Sequence, residues 1–135
     1  NSNSKKGQSI SYNNYVALNF HWKTIKKQIR VEGAISLISQ EESDKYFNSR
    51  PFESKVGALS SLQSEELNKR EELIAKFEEL KKFYENSKVP RPAHWNGYIV
   101  KPDLIEFWNN MPSRLHDRVE YKSTSSEWVS RRLYP

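Results

Sequence analysis

Gln28-Ile-Arg-Val-Glu-Gly-Ala-Ile-Ser-Leu37 places apolar Ile29, Val31, Ile35 and Leu37 between polar Gln28, Arg30, Glu32 and Ser36, with Gly33 and Ala34 at the centre. That period of two is the signature of a strand with one face turned to a core. The run just before it, Tyr15-Val-Ala-Leu-Asn-Phe-His-Trp22, is aromatic and β-branched enough for a second strand. After it, Ser39-Gln-Glu-Glu42 is a capping box: the serine hydroxyl covers one free N–H and the glutamate reaches back to another. A helix is predicted from Gln40, ending before Pro51. Residues 64–86 carry Leu67, Ile74, Phe77, Leu80 and Tyr84 at helical spacing and predict a long amphipathic helix. Val89-Pro-Arg-Pro92 breaks it. Short strands are expected at 98–100 and 104–108 around a Lys101-Pro102-Asp103 turn, then extended chain from Met111-Pro112 through Val119 and Tyr121, and a last strand over 127–133. The expected class is mainly β with helices (α+β), an antiparallel sheet or barrel with helices to one side, in one domain over 1–135.

The chain has 135 residues and a formal charge of +5; aromatics at 13% are too many for a disordered polar chain, and no apolar run approaches the ~20 residues of a membrane span. With no cysteine, thiol catalysis, disulfides and Cys-based zinc sites are excluded, which suits a reducing, cytoplasmic setting. The positive charge is spread over short clusters (Lys5-Lys6, Lys23/Lys26/Lys27, Arg131-Arg132), without a basic block or an RNA-binding aromatic signature, so neither nucleic acid nor membrane is an expected partner.

Three constellations could carry chemistry. If Arg114-Leu-His-Asp-Arg118 is extended, Arg114, His116 and Arg118 share a face and converge on one patch, guanidinium forks beside a titratable imidazole. Such a pentad alone is more often a solvated strand edge. In 104–108, Ile105 and Phe107 would take the core face and leave Glu106 and Trp108 on the polar one, where an indole could meet a planar ligand or a covering loop or subunit. Tyr46 and Arg50 are one helical turn apart, with Ser54 just beyond Pro51: a possible phosphate clamp, though Tyr/Arg pairs on helices are common. Gln63-Ser64 opens the long helix, and Ser64 is read first as its cap. Four glycines leave no room for a dinucleotide fingerprint or a P-loop, and His21, His94 and His116 have no metal-ligand spacing. No metal site is expected.

Taken together and in order, Asn-Ser-Asn-Ser-Lys-Lys-Gly (1–7), Lys-Gln-Ile-Arg-Val-Glu-Gly (27–33), Tyr-Phe-Asn-Ser-Arg-Pro (46–51), Gln-Ser (63–64), Val-Pro-Arg-Pro with His-Trp-Asn-Gly-Tyr (89–98), Ile-Glu-Phe-Trp (105–108), Arg-Leu-His-Asp-Arg (114–118) and the closing Arg-Leu-Tyr-Pro resemble the pyridoxine/pyridoxamine 5′-phosphate oxidases across the whole chain. The resemblance implies an FMN-binding split β-barrel, a homodimer with two sites at the subunit interface, and oxidation of a phosphorylated B6 vitamer to pyridoxal 5′-phosphate, with O2 reoxidising the flavin and H2O2 released. It implies FMN contacts at Lys5, Lys6, Gln28, Gln63, Ser64, Trp108 and Arg118, a substrate-phosphate grip by Tyr46, Arg50 and Ser54, and a ring held against the flavin by Arg114 and His116, the catalytic pair. Lys5 replaces an arginine common in the family, keeping the charge but losing the fork, and Leu59 replaces a frequent tryptophan. The family has a further segment before the point matching Asn1, so a longer parent protein is expected, and the 135 residues alone are expected to bind FMN poorly. Two other readings stay open: a phenazine-type flavin oxidase, and a flavin-free module binding RNA or another anion through the basic strand.

Overall fold

The two strands read first are present as predicted: β1 (Tyr15–Trp22) and β2 (Lys27–Leu37) form an antiparallel hairpin, Tyr15 opposite Ala34 and Trp22 opposite Lys27. The computed structural model describes residues 1–135, in two compact units: 1–12 with 37–98, and 13–36 with 99–135. The second holds the sheet, of order β1-β2-β3-β4-β5, where β3 is Tyr98–Asn109, β4 Asp117–Ser123 and β5 Trp128–Leu133.

The expected turn at Lys101-Pro102-Asp103 is instead part of one twelve-residue strand. Pro102 has no N–H to offer a ladder, but pairing of β3 with β4 begins only at Leu104, so no donor is missed on that side. On the other side Gly33 allows the close approach. A Cβ on Gly33 would lie 2.1 Å from the Lys101 carbonyl oxygen, too near for any other residue.

The polarity of the sheet faces also differs from the expected one. Glu106 and Trp108 do share a face, but Glu106 is buried while Phe107, on the opposite face, is 40% exposed. Glu106 lies directly opposite Glu120, also buried, a like-charge pairing that would be unfavourable uncompensated. Arginines compensate it. Arg118 binds Glu106 through Nε and Nη2 (2.8 and 3.1 Å), Arg30 Nη2 lies 3.1 Å from the same carboxylate, and Arg131 Nε donates to Glu120 at 2.6 Å. Aromatic and aliphatic side chains such as Tyr15, Phe20, Trp22, Trp128 and Val129 stay substantially exposed in the sheet unit.

The first unit is helical. α1 (Lys5–Tyr12), not foreseen from the sequence, starts where the buried Ser4 hydroxyl accepts the Gly7 N–H at 3.2 Å. α2 (Gln40–Ser49) has the predicted box, with Glu42 N–H donating to Ser39 Oγ and Ser39 N–H to Glu42 Oε2, both at 3.1 Å. α3 (Phe52–Ser60) was also unforeseen: it follows Pro51 directly and has no side-chain cap to announce it. α4 spans Arg70–Phe83, shorter than the predicted 64–86, and Ser64 does not cap it. Ser64 sits at φ 76°, in a turn where a cap conformation is impossible, and Lys69 takes the N-cap position. The core is small: Phe47, Val56 and Val89, with Phe52, Leu59, Phe77, Leu80 and Trp95 among the residues packed on it. No helix is long and apolar enough to cross a membrane.

Candidate active site

The residues singled out from the sequence fall into local groups, each within one unit. Lys5, in the first turn of α1, and Ser64, in its left-handed turn, line one polar groove of about 430 Å³ with Ser2, Asn3, Gln8 and Glu65. An ammonium, hydroxyls and amides around one concavity are a donor set suited to a phosphate. Lys6 is exposed beside it, and Gln63 lines a neighbouring groove that Ser64 also borders.

Tyr46 and Arg50 come together around an indole that sequence reasoning passed over as a site residue. Tyr46 stacks on Trp95 (centroids 5.9 Å apart, planes at 30°), and the Arg50 guanidinium carbon lies 5.1 Å from the same ring system. Arg50 Nη1 is buried and has no hydrogen-bond partner. The Arg50 side chain forms no ion pair within the chain and is only partly buried, so its other N–H groups meet no competing carboxylate. Ser54 stands in the first turn of α3, whose opening N–H groups no side chain covers.

In the sheet unit, Gln28 and Trp108 line one groove of about 390 Å³, with Trp22, Ile25 and Phe107 on its apolar walls. The Trp108 and His116 rings are 4.6 Å apart, and the Met111 N–H donates to His116 Nδ1 at 3.3 Å. That bond leaves the neutral imidazole's proton on Nε2, so His116 offers an N–H to a ligand. Arg118 pairs with Trp108 in the ladder, but most of its fork is engaged by Glu106 and by the Tyr134 carbonyl oxygen (2.9 Å). The hydrogen bonds from Arg118 hold the Glu106 carboxyl below the usual carboxylate range, with Arg30 adding to the effect against the opposing cost of burial.

The expectation that 114–118 is extended is corrected. Pro112–Arg114 is a short 3-10 turn, and β4 begins only at Asp117. Ser113 and Arg114 have φ of 56° and 61°, left-handed values that cost a side-chain-bearing residue about 1–2 kcal/mol. Arg114, His116 and Arg118 are therefore not alternating positions of one strand; Arg114 is exposed on a turn and His116 is tucked against Trp108. Ser113→Gly removes the steric cost at the price of a more flexible unfolded chain, so the variant is expected to be as stable as the parent or up to about 1 kcal/mol more stable in urea denaturation. Ser113→Val, β-branched at positive φ, is expected to lose about 1–2 kcal/mol in the same measurement.

Residues 1–84 match the family described as pyridoxamine 5′-phosphate oxidase, and residues 95–135 match the pyridoxine 5′-phosphate oxidase C-terminal dimerisation region. The chain belongs to the pyridoxamine 5′-phosphate oxidase family. Among curated relatives, the pyridoxine/pyridoxamine 5′-phosphate oxidase of Cytophaga hutchinsonii is 52% identical over 122 residues, 90% of this chain and 57% of its own length. That of Actinobacillus pleuropneumoniae serotype 3 is 49% identical over all 135 residues, 64% of its length. The chain thus spans roughly three-fifths of the relatives it matches. Of solved structures, PhzG from Burkholderia lata 383, in complex with tetrahydrophenazine-1-carboxylic acid, is 30% identical with a TM-score of 0.91, over 99% of this chain and 65% of that one. A pyridoxamine 5′-phosphate oxidase-related, FMN-binding protein from Nostoc punctiforme PCC 73102 shares the fold at 14% identity and a TM-score of 0.76, over 99% of this chain and 70% of that one.

The antiparallel sheet with four helices is accordingly part of an oxidase-family FMN-binding split barrel. The donor sets fit a flavin mononucleotide: a groove with the Lys5 ammonium, serine hydroxyls and amides, lined also by Glu65, for a phosphate, and a groove with the amides of Gln28 and Asn109 and the indoles of Trp22 and Trp108 for a planar ring. Alternation alone makes Glu106 a polar-face residue. Its role in holding Arg30 and Arg118 could have been found in the alternation, since a carboxylate between strands bearing arginines at Arg30 and Arg118 is positioned to pair with them.

Proposed function

We propose that the protein to which this chain belongs oxidises pyridoxamine or pyridoxine 5′-phosphate to pyridoxal 5′-phosphate, using FMN and O2. The observation that carries this reading is Arg50, a partly exposed guanidinium held on Trp95 beside Tyr46 with no carboxylate partner, because an anionic substrate group is what such a cation lacks. Relatives at about half identity bear the name of this activity.

When bound, FMN would supply the redox chemistry, as acceptor of a hydride equivalent from C4′ of the vitamer and donor of two electrons to O2, which leaves as H2O2 with the proton the vitamer gives up; pyridoxamine 5′-phosphate in addition takes up water and releases ammonia. The chain's residues bind and orient. Lys5, Lys6, Gln63 and Ser64 would hold the FMN phosphate; Gln28, Trp108 and Arg118 would meet the ring, with the N–H groups of Arg118 not engaged by Glu106 and Tyr134 as donors. Tyr46, Arg50 and Ser54 grip the substrate phosphate, which fixes one end of a small, rotatable molecule. Arg114 covers the pyridine ring and excludes water from it, while His116 donates its Nε2 proton to a ring substituent. The exposed aromatic and aliphatic side chains of the sheet unit support a homodimer in which a second copy covers them.

The second reading, a phenazine-type flavin oxidase, draws on the fold match to PhzG. A substrate panel separates the two. Turnover with peroxide release on phosphorylated vitamers, and none on reduced phenazine carboxylates, is the expected result for the complete protein. The reverse preference would overturn the vitamer assignment.

A further inference from the structure

A protein can hold an arginine in place in two ways, and this chain uses both. Glu106 holds Arg118 through two hydrogen bonds, which fixes the fork but spends donors and neutralises charge. Arg50 has no carboxylate partner. Its guanidinium carbon lies over two aromatic rings, 5.1 Å from Trp95 and 5.9 Å from Phe47, and an attraction to a π face restrains the cation while leaving its N–H groups unspent. A buried guanidinium N–H without an acceptor is unfavourable, so the arrangement persists only if the rings under it are themselves fixed.

They are fixed. Phe47 is fully buried in the core, and Trp95 meets it edge-on, with centroids 5.1 Å apart and planes at 73°. The loop carrying Trp95 is latched by Arg91, whose Nη1 donates to the Trp95 carbonyl oxygen (2.7 Å) and to Asn96 Oδ1 (3.1 Å). The same guanidinium reaches Asp44 Oδ1 through Nε at 2.6 Å and Gln40 Oε1 through Nη2. Gln40 and Asp44 lie in the first half of α2, the helix whose far end carries Tyr46 and, at its C-cap, Arg50. One arginine therefore ties the indole to the helix that presents the clamp.

We propose that Trp95 is the positioning residue of the phosphate clamp: it holds Arg50 by its π face so that the cation stays un-neutralised and open to a phosphate monoester, with Arg91 as the latch that keeps the indole there. This rests on the reading above, in which Tyr46, Arg50 and Ser54 take the substrate phosphate. The contrast with Arg118 gives the reason for an indole at this position. A carboxylate in its place would compete with the substrate for the same guanidinium, whereas a ring does not.

The test uses the complete, flavin-loaded protein, with inorganic phosphate as the probe. Calorimetric phosphate affinity and the kinetics of the phosphorylated vitamer are measured for the parent, Trp95→Leu, Trp95→Phe and Arg50→Ala. Trp95→Leu is expected to weaken phosphate binding and raise KM by about tenfold with kcat held, and Trp95→Phe, which retains a π face, to recover most of that loss. Should Trp95→Leu not fold, Trp95→Phe alone decides, with a phosphate affinity about two- to threefold below the parent. Phosphate affinity unchanged in the folded Trp95 variants, or kcat falling in step with phosphate affinity, overturns the positioning role. If Arg50→Ala also leaves phosphate affinity unchanged, the clamp reading itself fails. If Arg50→Ala abolishes binding while the Trp95 variants do not change it, only the role of Trp95 fails.

Discussion

Replacing Arg114 with alanine in the complete protein is expected to lower kcat/KM for pyridoxine 5′-phosphate by about 10²-fold to 10³-fold while flavin content stays that of the parent. The guanidinium is exposed on a turn, forms none of the ion pairs of the chain, and is presented by a backbone held at φ 61°. A side chain that forms no ion pair in the fold and yet sits on strained backbone supports the proposed role of Arg114 in the bound state. Its loss should remove orientation of the ring rather than cofactor affinity, because the groove residues Lys5, Ser64, Gln28 and Trp108 are elsewhere in the chain. Arg114→Lys keeps the charge without the planar fork and is expected to regain only a small part of the rate. Steady-state kinetics beside a flavin absorbance ratio separates these outcomes, and an unchanged kcat/KM would remove Arg114 from the site.

The second large effect concerns stability. Glu106→Ala leaves Arg30 and Arg118 without the buried carboxylate that joins them; because both arginines keep access to solvent and the like-charge pairing with Glu120 is relieved, the loss is expected at about 1–3 kcal/mol. The pH dependence has a definite sign. Because the folded-state carboxyl titrates lower than it would in the unfolded chain, the stability it contributes is fully present above the ordinary carboxylate pKa of about 4.3. It is lost as the pH falls through the lower folded value. Parent and variant should therefore differ most at neutral pH in urea denaturation, and the gap should narrow in acid. A constant gap from neutrality into strong acid would mean that the carboxylate's charge is not what holds this part of the sheet.

The legible parts of this fold are those whose signal is local. Ser39 and Glu42 satisfy each other's backbone groups within one turn, so the start of α2 could be read directly from four residues. The hairpin of β1 and β2 could be read from alternation and aromatic content. What failed depended on partners distant in sequence. Pro102 reads as a turn until Gly33 is seen to make room for it across the sheet. Glu106 reads as solvent-facing until Arg30 and Arg118 are placed around it, and Arg114 reads as extended until Ser113 and Arg114 both turn left-handed. The grouping of Gln28 with Trp108, and of Lys5 with Ser64, joins residues 80 and 59 positions apart in sequence, which no spacing rule connects; the family resemblance implies only that all four belong to one set of FMN contacts. Trp95 has no local signal of a role, because its meaning lies in the ring contacts with Tyr46, Phe47 and Arg50.

The most direct measurement is an anaerobic titration of the purified complete protein with pyridoxine 5′-phosphate, followed by its visible spectrum. A yellow protein whose flavin absorption bleaches on adding the vitamer, and returns with release of H2O2 when air is admitted, is the expected result. A colourless protein, or a bound flavin that the phosphorylated vitamer leaves oxidised, would contradict it.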